Sequence, residues 1–308
     1  MRVGLGHLDD LGDQKRLTGN AGDNRLVGMA GEDTLIGGGG SDSIDGGAGN
    51  DTIRYTSETE LFANADNALI DASVDGGGGT DKLELDNSEY SIPFEIKDEA
   101  KVEDIQNTEQ ITATASSGAY QITLSDSVAE NSSFTTVDLS GDTNATGANR
   151  IDVSAETASS YTLTGSVGND EITGGGGNDA ISGGAGNDTI TGGAGADVLT
   201  GGNGDDAFAY VATGESQNGA LINGNNGNVS DADVITDLSV GDAIHFNYEG
   251  NAGQIIENST ITADATIANS TKYGDLDLVS GFYDDASGTF TAGAADGTND
   301  DLLLQWND

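Results

Sequence analysis

The sequence predicts an all-β fold, a right-handed parallel β-roll or β-helix solenoid with a C-terminal β cap. Three observations carry that prediction. A glycine- and aspartate-rich nonapeptide repeats in phase over residues 19–54 and again over 165–209. The eighth position of every unit holds a large apolar residue. Between and after the two arrays the chain breaks into short β-prone runs that alternate apolar with polar side chains.

The first array reads GNAGDNRLV, GMAGEDTLI, GGGGSDSID, GGAGNDTIR; the second reads GSVGNDEIT, GGGGNDAIS, GGAGNDTIT, GGAGADVLT, GGNGDDAFA. Glycine at positions 1 and 4 is expected to supply the positive φ and close backbone approach of a tight turn. The residues around position 8 then form a very short strand with one inward side chain. A unit that buries a single side chain has no core of its own, so units must stack. With successive units alternating between two faces, one coil takes about two units, or ~18 residues, and the turns of units n and n+2 superimpose. Superposition gathers aspartates and exposed turn carbonyls. Several hard oxygen donors per site, some of them anionic, suit Ca²⁺ better than Zn²⁺ or copper.

The pattern GGxGxDxUx, with U a large apolar residue, resembles the RTX (repeats-in-toxin) calcium-binding family. The resemblance implies multiple Ca²⁺ sites made from position-6 carboxylates and turn carbonyls between stacked coils. Its position-6 matches here are Asp33, Asp42, Asp51, Asp170, Asp179, Asp188, Asp197 and Asp206. The first unit has Asn24 at that position, a departure that puts a full site at that end in question. GGGGTDKLE at 76–84 is an isolated further copy with Asp81 at position 6, either a metal site or an ordinary turn.

Taken in order, residues 1–55 are expected to form a polar lead-in and a first roll, and 56–75 a loop or short helix with Leu61, Ala65, Leu69 and Ile70 at weak helical spacing. Residues 76–160 contain the isolated repeat and then LELD, YSIPFEI, EQITATA, YQITLSD, TTVDLSG and NRIDVSA, with YTLTGSV leading into the second array. These runs predict a β-helical continuation without calcium turns, bent at Pro93, the chain's one proline. Residues 161–210 form the second roll. Residues 211–308 form a capping, secretion and assembly region: a polar loop at 211–230, two strands within 232–246, a hairpin setting Phe282 and Tyr283 opposite Thr289 and Phe290, and a last strand DLLLQW at 301–306.

DDAFAYVATGES and the downstream DADVITDLSVGDAIHF are similar to the segment C-terminal to the repeats in type I-secreted RTX proteins, including serralysin-type C-terminal domains and alginate-epimerase R-modules. That similarity implies a strand pair completing the roll and an uncleaved export signal. Asp233, Asp237 and Asp242 match its acidic positions, as ligands of a further Ca²⁺ or as turn terminators. KVEDIQNTEQITATA, the Thr/Ser/Ala-rich coils and the acidic hairpin resemble the C-terminal part of RTX-type S-layer and surface-layer proteins.

Composition narrows the partners. The 308 residues include 53 acids against 10 bases, a formal charge of −43, and aspartate outnumbers glutamate 38 to 15. Nucleic acid and anionic membrane surfaces would be repelled, whereas cations are attracted. High charge with low hydrophobicity places the metal-free chain near the disordered class, so calcium is expected to drive folding. No cysteine is present, which removes disulfide and thiol chemistry. No run approaches the roughly 20 apolar residues of a membrane span, and MRVGLGHLDDLGDQK lacks a signal-peptide core.

No catalytic residues are expected. The two histidines, His7 and His245, stand in no zinc-site spacing, no nucleophile elbow occurs, and acidic pairs such as Asp284–Asp285 are ordinary in so acidic a chain. The function expected is a secreted, cell-surface structural protein, not an enzyme. It would fold on extracellular Ca²⁺, leave by the type I export machinery and self-associate as a homo-oligomer into an S-layer, sheath or filament. The alternative is the calcium-dependent C-terminal folding and export module of a larger RTX adhesin or secreted enzyme. Ice binding through an outward threonine row is disfavoured, because position 3 reads Ala21, Ala30, Gly39, Ala48, Val167, Gly176, Ala185, Ala194 and Asn203.

Overall fold

A computed structural model describes residues 14–57, 60, 71, 73–86, 94–96, 105–114, 118–124, 134–211, 233–237, 242–248, 251–257, 275–284, 289–292 and 301–307. Their regular elements are strands. No helix among them is long and apolar enough to cross a membrane. The chain divides into two compact units, Met1–Asn144 and Ala145–Asp308.

In the first unit, Arg16–Thr18, Thr34–Ile36, Thr52–Tyr55, Lys82–Leu85, Gln110–Ala113 and Thr136–Asp138 lie side by side in that order, every pair parallel. A second parallel sheet runs Arg25–Val27, Ser43–Ala48, Ser73–Gly78 and Ile105–Gln106. Phe94–Ile96 pairs in parallel with Tyr120–Thr123. Consecutive units thus feed alternate sheets, and like positions meet two units later, Leu35 opposite Ile53 and Leu26 opposite Ile44. The chain is a parallel β-roll solenoid.

The second unit repeats the scheme. Thr162–Thr164, Ala180–Ala185, Val198–Asn203 and Val234–Ile235 make one parallel sheet. Arg150–Asp152, Glu171–Thr173, Thr189–Thr191, Ala207–Val211 and Ala243–Tyr248 make another, on which Asn251–Glu257 adds antiparallel. A separate antiparallel sheet joins Thr289–Ala292, Asp275–Asp284 and Asp301–Asn307.

Position 8 lines the core, as the periodicity requires. Leu35, Ile53, Leu83, Ile172, Ile190, Leu199 and Phe208 are fully buried, and positions 7 and 9 flanking them are more exposed. Each of the seven β-prone runs between the arrays contributes a strand among the described residues, YSIPFEI through its last three, Phe94–Ile96. Their inward residues continue the thin aliphatic column of each unit, Ile111, Ile122 and Val137 in the first, Ile151 and Leu163 in the second. Tyr120 is buried within the first column because its hydroxyl donates to the Leu85 and Thr114 carbonyls at 3.0 Å each.

Three local expectations need correction. Positive φ falls at positions 2 and 4, as at Gly47 and Gly49, while position 1 is glycine because the neighbouring coil comes too close for a Cβ. The hairpin pairs Tyr283 with Phe290 and Phe282 with Thr291, one residue away from the expected register, because the antiparallel ladder closes at Asp284–Thr289. Asn251–Glu257 is a strand that the sequence pattern does not signal, its Asn-Ala-Gly-Gln start giving no alternation. The 56–75 helix and the 211–230 loop fall mostly, and Pro93 and His7 wholly, outside the described residues.

Replacing the buried Ile190 with alanine is expected to cost about 2–5 kcal/mol in the calcium-loaded protein, whereas Thr189→Ala on the exposed side should stay within about 0.5 kcal/mol. Urea denaturation in saturating calcium measures both.

Candidate metal centre

Stacking the turns builds a ladder from the position-6 side chains. The backbone N–H of each position-6 residue donates to Oδ1 of the position-6 aspartate in the adjacent coil: Asp33 to Asp51 at 2.7 Å, Asp170 to Asp188 and Asp179 to Asp197 at 2.8 Å, Asp188 to Asp206 at 2.9 Å. The strand ladder then continues from the same residue, since the N–H of position 7 donates to the position-6 carbonyl of the previous coil, as Thr189 does to Asp170. One oxygen of each carboxylate therefore has a structural duty.

The other oxygen does not. Oδ2 of Asp33, Asp42, Asp51, Asp81, Asp188, Asp197 and Asp206 is buried without a hydrogen-bond partner. It shares the space around the position-1 glycine with a carbonyl oxygen of the neighbouring coil. A Cβ placed on Gly28, Gly46 or Gly76 would stand 2.7, 2.6 and 2.8 Å from Oδ2 of Asp33, Asp51 and Asp81, and nearer still to the carbonyl oxygens of Gly46, Gly76 and Asn107 respectively. Position 1 must be glycine because this space is walled by oxygens. Among the described residues no group of three acidic, imidazole or thiol side chains forms a metal cluster, and the other oxygens lining the space at these position-1 glycines are turn carbonyls.

The model of the RTX calcium-binding nonapeptide repeat (4 copies) matches residues 18–53, 162–190 and 182–209. The chain carries RTX calcium-binding repeats. No curated protein matches the chain as a relative.

The RTX turn fits the ion on its own chemistry. A buried carboxylate oxygen without a donor is several kcal/mol unfavourable. A hard cation bonded to oxygens at about 2.3–2.6 Å relieves it. The residues that would hold Ca²⁺ are the position-6 aspartates with the position-1 and adjoining turn carbonyls, and the ion's contribution is to neutralise anions that face only oxygen.

Burial pushes Asp188 and Asp197 up to about 7 and Asp51 up to about 6. The N–H bonded to each carboxylate pulls back, and neighbouring aspartates push further up. Asp42, Asp81, Asp179 and Asp206 are raised for the same primary reason.

The structure places eleven of the twelve sequence-predicted site residues on these ladders. Asp233 and Asp242 take the position-6 role in the coil after the array, accepting the N–H of Asp197 and Asp206 at 2.9 Å each. Asp237 stands apart: its two oxygens accept the N–H groups of Gly201 and Gly202 at 2.9 and 2.8 Å. The isolated repeat is in line, with Asp81 Oδ1 accepting the Asp51 N–H.

Sequence reading missed two ladder members, Asp71 and Glu109. Asp71 accepts the Asp42 N–H at 2.9 Å and also takes the hydroxyl of buried Tyr55. Glu109 accepts the Asp81 N–H at 2.7 Å. The available signal was an acid shortly before an inward aliphatic, Val74 and Ile111, without the preceding glycines. A second row was also missed. Position 5 is commonly Asn because its side-chain oxygen accepts the position-5 N–H of the next coil, as Asn169 does from Asn187 and Asn178 from Ala196.

The raised aspartates set a sign for pH. Their folded, metal-free pKa values exceed the unfolded value of about 3.9. The metal-free fold thus binds protons more tightly than the unfolded chain, and this stabilisation is full below about 4 and lost as pH rises through about 6–7. Calcium-free protein is expected to gain β-sheet ellipticity on acidification from about pH 8 to 5, while calcium affinity falls over the same interval as protons compete. Circular dichroism and calcium titration at stepped pH check both.

Proposed function

We propose that this protein is a secreted structural component of a cell surface, kept unfolded where calcium is scarce, folded by calcium outside, and self-associating into a surface layer, sheath or filament. The observation that carries the reading is the row of buried carboxylate oxygens with no hydrogen-bond partner. Seven such anions in the nonapeptide turns alone, in a chain of net charge −43, make a metal-free solenoid unfavourable, which suits a chain that must remain threadable through type I export machinery. Extracellular calcium near millimolar suffices for weak sites of this kind.

The structural role, as opposed to catalysis, is supported by where the chemistry lies. The acids brought together among the described residues serve turns, ladders and ion pairs, and the C-terminal strands Asp275–Asp284, Thr289–Ala292 and Asp301–Asn307, which form a sheet of their own, would be the part available for contacts between copies. The similarity of its acidic hairpin to surface-layer proteins supports the same reading.

In chelator at neutral pH the chain is expected to be largely disordered by circular dichroism, and about 1 mM Ca²⁺ should restore a β spectrum. A chain fully folded in chelator would contradict the folding switch. Electron microscopy in the same calcium should show sheets or filaments. Particles that remain monomeric at high concentration would favour the other reading, a calcium-folded export module of a larger adhesin or enzyme.

A further inference from the structure

The nonapeptide turns come in two conformations, and the difference tracks the carboxylate. In turns 28–36, 37–45, 46–54, 76–84, 183–191, 192–200 and 201–209, the position-2 residue has positive φ: Met29, Gly38, Gly47, Gly77, Gly184, Gly193 and Gly202. These are the same seven turns whose position-6 Oδ2 is buried without a partner. In the other three, 19–27, 165–173 and 174–182, position 2 is not in the left-handed region, and its N–H turns inward. Asn20 N–H donates to Asn24 Oδ1 at 2.6 Å, Ser166 N–H to Asp170 Oδ2 at 2.6 Å, and Gly175 N–H to Asp179 Oδ2 at 2.8 Å. Ser166 adds its hydroxyl to Asp170 Oδ2 at 3.0 Å.

Side-chain identity at position 2 does not explain the split. Gly175 is free to adopt positive φ and does not, while Met29 has a Cβ and is nevertheless held at +82°. A non-glycine residue in that region is disfavoured by roughly 1–2 kcal/mol, so the open conformation is imposed by the turn.

We propose that the three inward-bonded turns are self-capped start turns that bind no calcium through position 6, and that among the ten nonapeptide turns calcium is confined to the seven open ones, including the isolated turn 76–84. This rests on the calcium reading of the repeats and assigns it turn by turn. In a self-capped turn a backbone N–H occupies the oxygen that the ion would need, and satisfies it at no electrostatic cost. The start turns stand near the row ends: Asn24 opens its row, and Asp170 and Asp179 are the first carboxylates of theirs, their Oδ1 atoms accepting the N–H groups of Asn149 at 3.0 Å and Tyr161 at 2.8 Å. The fourth row has no such turn: its first carboxylate, Asp33, lies in an open turn, its Oδ1 accepts the Lys15 N–H at 2.8 Å, and the Lys15 ammonium donates to the Gly28 carbonyl at 2.9 Å, placing a tethered cation on a turn oxygen. Each array therefore opens on groups that close without metal and offer a finished edge to the first calcium-dependent coil.

Crystals of the full chain grown in calcium, with anomalous scattering to locate the ions, test this directly. Density is expected against Oδ2 of Asp33, Asp42, Asp51, Asp81, Asp188, Asp197 and Asp206, and none against Asn24, Asp170 or Asp179 Oδ2. An ion on Asp170 or Asp179 Oδ2 overturns the two-class assignment and leaves the calcium reading standing; no ion at any turn removes both. In solution, equilibrium dialysis of Asp197→Asn should lose at least one bound calcium and Asp179→Asn none, although the two share one ladder. Equal losses from two variants that both show the wild-type β spectrum in calcium would sink the assignment, and if Asp179→Asn fails to fold, the crystallographic positions decide.

Discussion

The solenoid depends on a carboxylate oxygen that is buried with other oxygens. Each position-6 aspartate uses Oδ1 to tie its coil to the next, and that tie fixes the orientation of the side chain so that Oδ2 must point into the turn. The geometry that makes the coils register is therefore the geometry that strands an anion. Nothing in the backbone of an open turn can donate to it, because positive φ at position 2 has rotated the nearest N–H away. A bound cation would complete the structure by relieving that anion.

The rest of the chain is economical around that constraint. A nonapeptide contributes one large inward side chain, so the apolar core within each roll is thin, with little area per residue. Ion pairing does little to offset the charge. Arg54 lies against Glu84 and Asp86, and Arg150 against Asp152 and Glu171, on partly exposed strand faces where such pairs are worth little. Backbone ladders and inward aliphatics keep the stretch between the arrays in register, and buried Tyr55 closes Asp71 with its hydroxyl. The fold thus alternates between regions closed by ordinary hydrogen bonds and regions waiting on metal, which is a physical basis for a folding switch.

Much of this is written in the one-dimensional pattern. A nine-residue period with one apolar position and a fixed aspartate sets the coil length, the inward residue and the ladder residue at once, because each is dictated by local chain geometry and the demand that a one-residue core be shared. The alternation in YQITLSD or NRIDVSA is local in the same way. Asp71 and Glu109 are harder to read because insertions break the phase before them; only the pairing of Ser73–Gly78 and Gln110–Ala113 with earlier strands returns Glu109 to position 6 and brings Asp71 to one residue before it, close enough to accept the Asp42 N–H.

The sequence by itself therefore determined the solenoid, its period, its core column and the choice of a hard cation, since those rest on residue types at fixed spacing. Tertiary structure alone decided which aspartates are satisfied and which are stranded. Asp179 and Asp197 sit in units that read alike, GGGGNDAIS and GGAGADVLT, and no local rule separates them. What separates them is the coil each is laid upon: the turn at 174–182 stacks on the irregular segment at 153–160, where the Gly176 N–H bonds the Glu156 carbonyl, while the turn at 192–200 stacks on a true repeat, its Ala194 N–H bonding the Gly175 carbonyl. In this pair the φ of the turn differs with the coil it is laid upon, and the stacking that decides it is not local to either nonapeptide.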